Sequence, residues 1–329
     1  MSKINQRRDF IKSAALTVGT LALNNPSLAQ SWPSRPVKMV VPYAAGNQTD
    51  IVARLIAEEL SKKWGQSLII ENIAGAGGAI GVAQIARAKP DGYTIGLAAI
   101  AALAIVPHIE KTQYDPLTDL TTIAGVTIVN GTVLVINPSH PVKNIQDFVA
   151  YAKSRSNKPL SFYTAGIGTI PHLNTEILAK SLNIPLLHIP YKAATAGITD
   201  LISGEIDLGF DSLSVLEPFV KAGKVRAIAV ATEGRSKSLA DVPNFKEFSE
   251  KIDLKNAWQS IQGPKGMPPD IANRIEADIS SILSRPDFTS KFPPGTVALN
   301  IKGANAAERI RAEYFSFGEI VKQLGLKAS

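Results

Sequence analysis

Nine residues, Pro42-Tyr43-Ala44-Ala45-Gly46-Asn47-Gln48-Thr49-Asp50, carry the clearest chemical signal in this chain. They join an apolar run, Val37 to Val41, to an amphipathic stretch, Ile51 to Trp64. A strand that feeds a loop opening a helix leaves the first-turn N–H groups without internal partners, at the electropositive end of the helix dipole. A small anion binds such an end without any cationic side chain. Thr164-Ala165-Gly166-Ile167-Gly168-Thr169-Ile170-Pro171-His172 repeats the arrangement, with Thr169 suited to the N-cap and Pro171 to the first turn. Two helix starts on opposite domains, facing one cleft, would hold a small carboxylate. Tyr43, Ala45, Gly46, Asn47, Gln48 and Thr49 are the candidate binding residues of the first loop; Gly166, Ile167, Gly168, Thr169 and His172 are those of the second.

Two further groups stand at strand ends. Tyr191 follows Ile189-Pro190, placed either to line the cleft or to lie half-buried on the surface. Asp211 follows Phe210, and an acid at the carboxyl end of a strand is placed to meet a ligand. It would accept from an ammonium, a hydroxyl or a water, or else cap the following helix. His172 is also a general base by type, but no serine or acid stands at a supporting distance. Gly75-Ala76-Gly77-Gly78-Ala79-Ile80-Gly81 misses the dinucleotide fingerprint by one residue and lacks the acid expected about 20 residues on. Its glycines instead suggest backbone lying close to a ligand or to the facing domain. With no cysteine and four separated histidines, the chain offers no disulfide, thiolate site or short-spaced metal motif. No catalytic residue, cofactor or metal is assigned.

The positioning elements read as alternating strands and helices. Strands are expected at 37–41, 68–70, 94–98, 133–136, 160–163, 186–189, 206–210 and 227–231. Helices are expected at 50–63, capped by Thr49 or Asp50 and stopped by Gly65, and at 80–87, 145–155, 172–181, 194–203, 271–283 and 306–324. Such alternation predicts parallel sheets with helices on both faces. Two stretches, Val126 to Val135 and Trp258 to Pro268, read as crossings between domains. They give a first domain of 30–127 and 260–329 with a second, 128–259, inserted in it. A cleft between two α/β domains is a natural place for a small ligand.

The first 29 residues read as a cleavable export signal. Arg7-Arg8 precedes an apolar run from Ala14 to Leu23, and Ser27-Leu28-Ala29 offers small residues for cleavage. The run is too short to span a bilayer. The arginine pair resembles a twin-arginine signal, the alternative being the general secretion route; either leads to the periplasm. This segment holds four cations against one acid and leaves +4 of the chain's +7 to the mature protein. That favours encounter with anions. No basic cluster interleaved with aromatics points to nucleic acid. Hydrophobic residues are 45% and charged residues 19%, enough for a full core, so disorder is not expected.

In order and spacing, several motifs resemble the Bug family of extracytoplasmic solute receptors, the substrate-binding components of tripartite tricarboxylate transporters. They are Trp32-Pro33-Ser34-Arg35-Pro36-Val37, the Gly46 to Asp50 loop, Glu71-Asn72 with Gly75 to Gly78, and Pro90-Asp91-Gly92-Tyr93-Thr94. Tyr114-Asp115-Pro116, Gly166 to His172, Pro190-Tyr191-Lys192, Gly204-Glu205-Ile206-Asp207 with Phe210-Asp211, Asp241-Val242-Pro243 and Gly263-Pro264 complete the set. The resemblance implies an α/β, two-domain type II periplasmic-binding-protein fold, with the ligand cleft between domains joined by β-strand hinges. It implies a monomeric receptor without cofactor for a small carboxylate, such as a di- or tricarboxylate, an acidic amino acid or an aromatic acid. One carboxylate would be held by backbone amides and waters of the loops at Gly46–Thr49 and Gly166–Thr169. Its partners would be the permease subunits of the transporter, or a sensor kinase in a signalling variant. An exported enzyme is the competing class, and it lacks the needed motifs. This chain departs from the family pattern at Asn47, where a second glycine is usual and where asparagine would take positive φ. It departs again at Ile167, Ala193 and Ala196. Ile167 and the apolar stretch Ile100 to Ile105 lead to the expectation of an acid more apolar or bulkier than a C4 dicarboxylate, with Ile100 among the binding residues.

Overall fold

The computed structural model describes residues 32–232 and 235–327. The expected export signal lies outside them. β1 (Val37–Val41) is buried along almost its whole length, as a strand covered on both faces should be. α1 (Gln48–Trp64) starts two residues earlier than expected, and its cap is Asn47 rather than Thr49 or Asp50. The short Asn47 side chain accepts the Thr49 N–H, and the residue sits at φ −68°. The positive φ expected at Asn47 is therefore not used; Gly46, at φ 79°, makes the bend. Gly65 ends the helix at φ 65°, in the left-handed conformation expected of a stop.

β2 (Leu68–Asn72) and β3 (Thr94–Ala99) flank β1 in parallel, with α2 (Ala79–Ala86) between them in sequence. Two short helices follow, the buried α3 (Ile100–Ala104) and the partly buried α4 (Val106–Ile109), and then β4 (Leu120–Val129). At Asn130-Gly131 the chain passes into a second sheet. It forms β5 (Thr132–Ile136), α5 (Ile145–Ser154), β6 (Leu160–Thr164), α6 (Ile170–Leu182), β7 (Leu186–Pro190) and α7 (Ala194–Ser203). β8 (Leu208–Ser212), α8 (Leu213–Lys221), β9 (Arg226–Ala231) and α9 (Phe245–Phe248) complete this part. The chain returns to the first sheet as β10 (Ala257–Pro264), followed by α10 (Pro269–Leu283), α11 (Pro286–Thr289), β11 (Thr296–Lys302) and α12 (Gly303–Leu324). The strand orders are β11-β4-β10-β3-β1-β2 and β7-β6-β8-β5-β9.

Neither sheet is wholly parallel, which corrects the expectation drawn from strand–helix alternation. β10 runs against β3 and β4, and β5 runs against β8 and β9. The reason lies in the crossings. A strand arriving from the other sheet enters at the end where the strands of the βαβ units finish, so it must run the opposite way.

Each sheet with its helices forms a lobe. In the second lobe the strand period of two divides the core cleanly. Leu134, Ile136 and Phe162 face one apolar cluster, and Val133, Val135 and Tyr163 face the other. The first lobe packs α3 and α4 against Trp258 and the α12 residues Ala306, Ile310, Phe317 and Val321. Ile170 and Leu173 of α6 lie in this same cluster, so a helix of the second lobe is built into the core of the first.

Candidate ligand-binding site between the lobes

The loop after β1 is held from behind by Asp50. Its carboxylate, 2% exposed, accepts the Gly46 N–H (2.9 Å), Arg54 Nε–H (2.9 Å) and Asn72 Nδ2–H (2.8 Å). Burial alone would raise its pKa; the hydrogen bonds from Arg54, Gly46 and Asn72 outweigh burial and hold the carboxyl below its ordinary value. Asn72 also donates to the Tyr43 carbonyl (3.0 Å), which ties the end of β2 to the loop. On the inner side, Gln48 Nε2 donates to Thr296 Oγ1 (3.1 Å) and Gln259 Nε2 to Thr49 Oγ1 (3.0 Å), with Gln259 also donating to Gln48 Oε1. Thr127 Oγ1 donates to Gln259 Oε1. The start of α1 is thus hydrogen-bonded to β10 and β11, and through Gln259 it is linked to β4.

The loop after β6 has the matching construction. Thr169 caps α6 at φ −69°, and its side chain accepts the His172 N–H. Gly166 N–H donates to Thr164 Oγ1 (3.2 Å), and Thr169 Oγ1 donates to Gly166 O (2.9 Å). Gly168 N–H donates to His172 Nδ1 (3.1 Å), which requires that nitrogen to be unprotonated. His172 stacks on His188, ring centroids 4.0 Å apart, and His188 Nε2 lies 2.7 Å from Thr164 Oγ1. Burial, with the neighbouring His188, lowers the His172 pKa to about 3; burial lowers His188 to about 4. Two neutral imidazoles therefore back both ends of the loop.

The starts of α1 and α6 meet at one cavity of about 80 Å³, lined from both lobes. Asn47, Gln48 and Thr49 line it from one lobe, and Ala165, Thr169, Ile170 and Pro171 from the other. Tyr43, Ala99, Ala101, Val129, Ala257 and Gln259 add to the first wall, Thr132, Asp211 and Ser212 to the second. No Lys, Arg or His is among these residues. A larger hollow, of about 710 Å³, lies on the first lobe against Lys38, Ile80, Gln84 and Arg87. Neither the α1 nor the α6 start reaches it, so the smaller cavity is the candidate site. Among the described residues no group of three His, Cys, Asp or Glu could hold a metal ion.

Of the residues singled out from the sequence, Tyr43, Asn47, Gln48, Thr49, Thr169 and Asp211 line the cavity. The others do not. Ala45 and Gly46 form the bend behind it, and the amides of Gly46, Gly166 and Gly168 donate to Asp50, Thr164 and His172. His172 lies behind the loop. A Cβ on Gly77 would stand 2.6 Å from Ile167 O, so this part of the loop meets the opposite lobe, the close backbone approach that the run of glycines suggested. Tyr191 sends its hydroxyl to Asp200 Oδ2 (2.6 Å). Ile100 is 1% exposed within the apolar core. Ile100 and Ile167 stand away from the lining, while Ala101 of the Ile100 to Ile105 stretch is part of it. Gln259, Thr132 and Ser212 also line the cavity without standing out in the sequence. Thr132 and Ser212 carry the signal of any residue at a strand end, whereas Gln259 is 211 positions from Gln48 and has no local signature.

Two α/β lobes joined by strands, each offering a helix start to a shared cavity, define a periplasmic-binding-protein architecture. The solved structure of the periplasmic binding protein BugD superposes with a TM-score of 0.83 at 31% identity, covering 91% of this chain and all of that one. The chain belongs to the family described as the tripartite tricarboxylate transporter family receptor, whose sequence model matches residues 52–326. A UPF0065 protein of Agrobacterium vitis is 32% identical over 98% of this chain and 94% of its own length. Two further similar structures hold acids. A Rhodopseudomonas palustris protein with adipate has a TM-score of 0.84 at 28% identity, covering 90% of this chain and 99% of that one. MatC of the same organism, with bound malate, has a TM-score of 0.79 at 27% identity, covering 88% and 100%.

Proposed function

We propose that this chain is a periplasmic receptor that captures a small carboxylate between its lobes and delivers it to the membrane subunits of a tripartite tricarboxylate transporter. The observation that carries this reading is the convergence of two helix starts, from opposite lobes, on one cavity whose lining holds no cationic side chain. Helix ends and side-chain amides can neutralise an anion there. The adipate and malate held by similar proteins support the same ligand class. The two lobes act as domains that close on the ligand. The receptor works as a monomer and performs no chemistry on what it binds.

The test is thermal unfolding of the mature chain, from Gln30 onward, against carboxylates, amino acids and uncharged controls, after co-purified ligand is removed. A ligand that binds only the folded state raises the melting temperature with concentration. A rise confined to acids is the expected result. A flat response to every acid would overturn the reading.

A further inference from the structure

Asp211 has no place in a site designed only to neutralise anions. It is 9% exposed at the end of β8, and it lines the cavity beside Ser212. One carboxylate oxygen, Oδ1, accepts the Ser212 N–H (2.7 Å). The Ser212 hydroxyl in turn is shared with Ser214 (3.0 Å). No cation lines the cavity to pair with the acid. A ligand bearing nothing but carboxylates brings like charge against it, and two carboxylates sharing one dry site cannot both stay ionised without cost. A ligand with a hydroxyl or ammonium group removes the conflict by donating to Asp211.

We propose, on the basis of the receptor reading above, that Asp211 makes this cavity select acids that carry a hydrogen-bond donor, a hydroxyl or an ammonium, beyond the carboxylate held at the helix starts. Burial, offset in part by the amide and hydroxyl of Ser212, pushes the Asp211 carboxyl up to about 6, so near neutral pH it is poised between its two forms. The other ionisable groups around it, Tyr163 from β6 and the cavity-lining Tyr43, are pushed up by burial and remain neutral. Asp211 is therefore the group whose protonation answers to the ligand. A plain diacid has to bring one proton into the site. A zwitterionic amino acid does not.

The experiment is calorimetric titration of the mature chain with succinate, malate and aspartate, and with adipate against 2-aminoadipate. Each titration is run at pH 7.5 in two buffers of different ionisation enthalpy. We expect the donor-bearing acid of each set to bind roughly tenfold tighter or better than its plain counterpart, the worth of a hydrogen bond to a charged group. We also expect proton uptake approaching one for the plain diacids and near zero for the amino acids. Malate against aspartate separates hydroxyl from ammonium as the donor. Asp211→Asn, isosteric and uncharged, should narrow the preference and abolish the proton uptake. Equal affinity across a set in the wild-type protein, or no difference in proton uptake, overturns the inference without touching the receptor reading and needs no variant. An equal loss for every acid in folded Asp211→Asn overturns it too. Failure of every acid to bind overturns the receptor reading, and this inference with it.

Discussion

Gly46, Gly166 and Gly168 were expected to offer their amides to a ligand, yet all three donate within their own loops. They make the bends, and their neighbours line the cavity. The acceptors behind them are therefore where a residue-scale test should strike. Asp50→Ala removes three hydrogen bonds from a buried carboxylate. It should destabilise the protein by about 3 kcal/mol, by the usual magnitudes for charge-assisted bonds, and weaken ligand binding in the protein that still folds. Urea melts and a binding titration check both. The Asp50 carboxyl is held low in the folded state, so its contribution is present above the unfolded pKa and is lost as pH falls through the folded one. The histidines have the same sign for a different reason. His172, lowered to about 3, and His188, lowered to about 4, are neutral when folded, whereas unfolded imidazoles take up protons below about 6.5. Between these limits the unfolded chain binds more protons. Stability therefore rises with pH by about 1.4 kcal/mol per unit for each imidazole. His172→Asn should flatten that slope between pH 4 and 6.5 by one proton, as read from denaturant melts across this range. An unchanged slope would mean that His172 is already charged in the folded protein.

At the scale of elements, α6 has two attachments. Its first turn lines the cavity, and Ile170 and Leu173 sit in the core of the first lobe. Leu173 is 0% exposed, so Leu173→Ala should cost 2–5 kcal/mol, in the range for a buried leucine. A loss well under 1 kcal/mol in a chemical melt would show that the packing between lobes carries little weight. Gly77 marks the other contact. It adopts φ 58°, and a side chain there would press on Ile167 O. Gly77→Val should hold the lobes apart and weaken binding by roughly tenfold or more, while the second lobe keeps its own fold. Small-angle scattering of that variant should give a larger radius of gyration with saturating ligand than the wild type gives.

For the molecule as a whole, much of the plan was legible because it is written in local pattern. Strands and helices at β1, α1, β3, α6 and α7 follow from periodicity, and Gly65 and Thr169 mark helix ends by their chemistry. Both loops at the cavity were legible for the same reason. What was not legible depends on residues far apart in sequence. The antiparallel strands follow from how the chain enters a sheet. Gln259 reaches α1 only because β10 returns to the first sheet. Ile100 reads as an apolar residue near the cleft and is in fact core, since nothing local separates the two fates. If the lobes close on a ligand as proposed, the free protein must expose Ile170 and Leu173 when it opens. The radius of gyration in solution should then fall when ligand is added. A constant value would rule out the hinge.

The cavity wall and the frame that shapes it are different residues. Asp50, His172 and the three loop glycines fix the backbone without touching the cavity, while Ala165, Thr132 and Ser212 touch it without fixing the backbone. A change of diet is therefore open to this chain at little structural risk. Exchanging Ala165 for serine, or Ser212 for alanine, alters what the cavity welcomes and leaves both loops standing. A panel of such single exchanges, each read against a set of acids, would turn one receptor into a series of sensors with graded preferences.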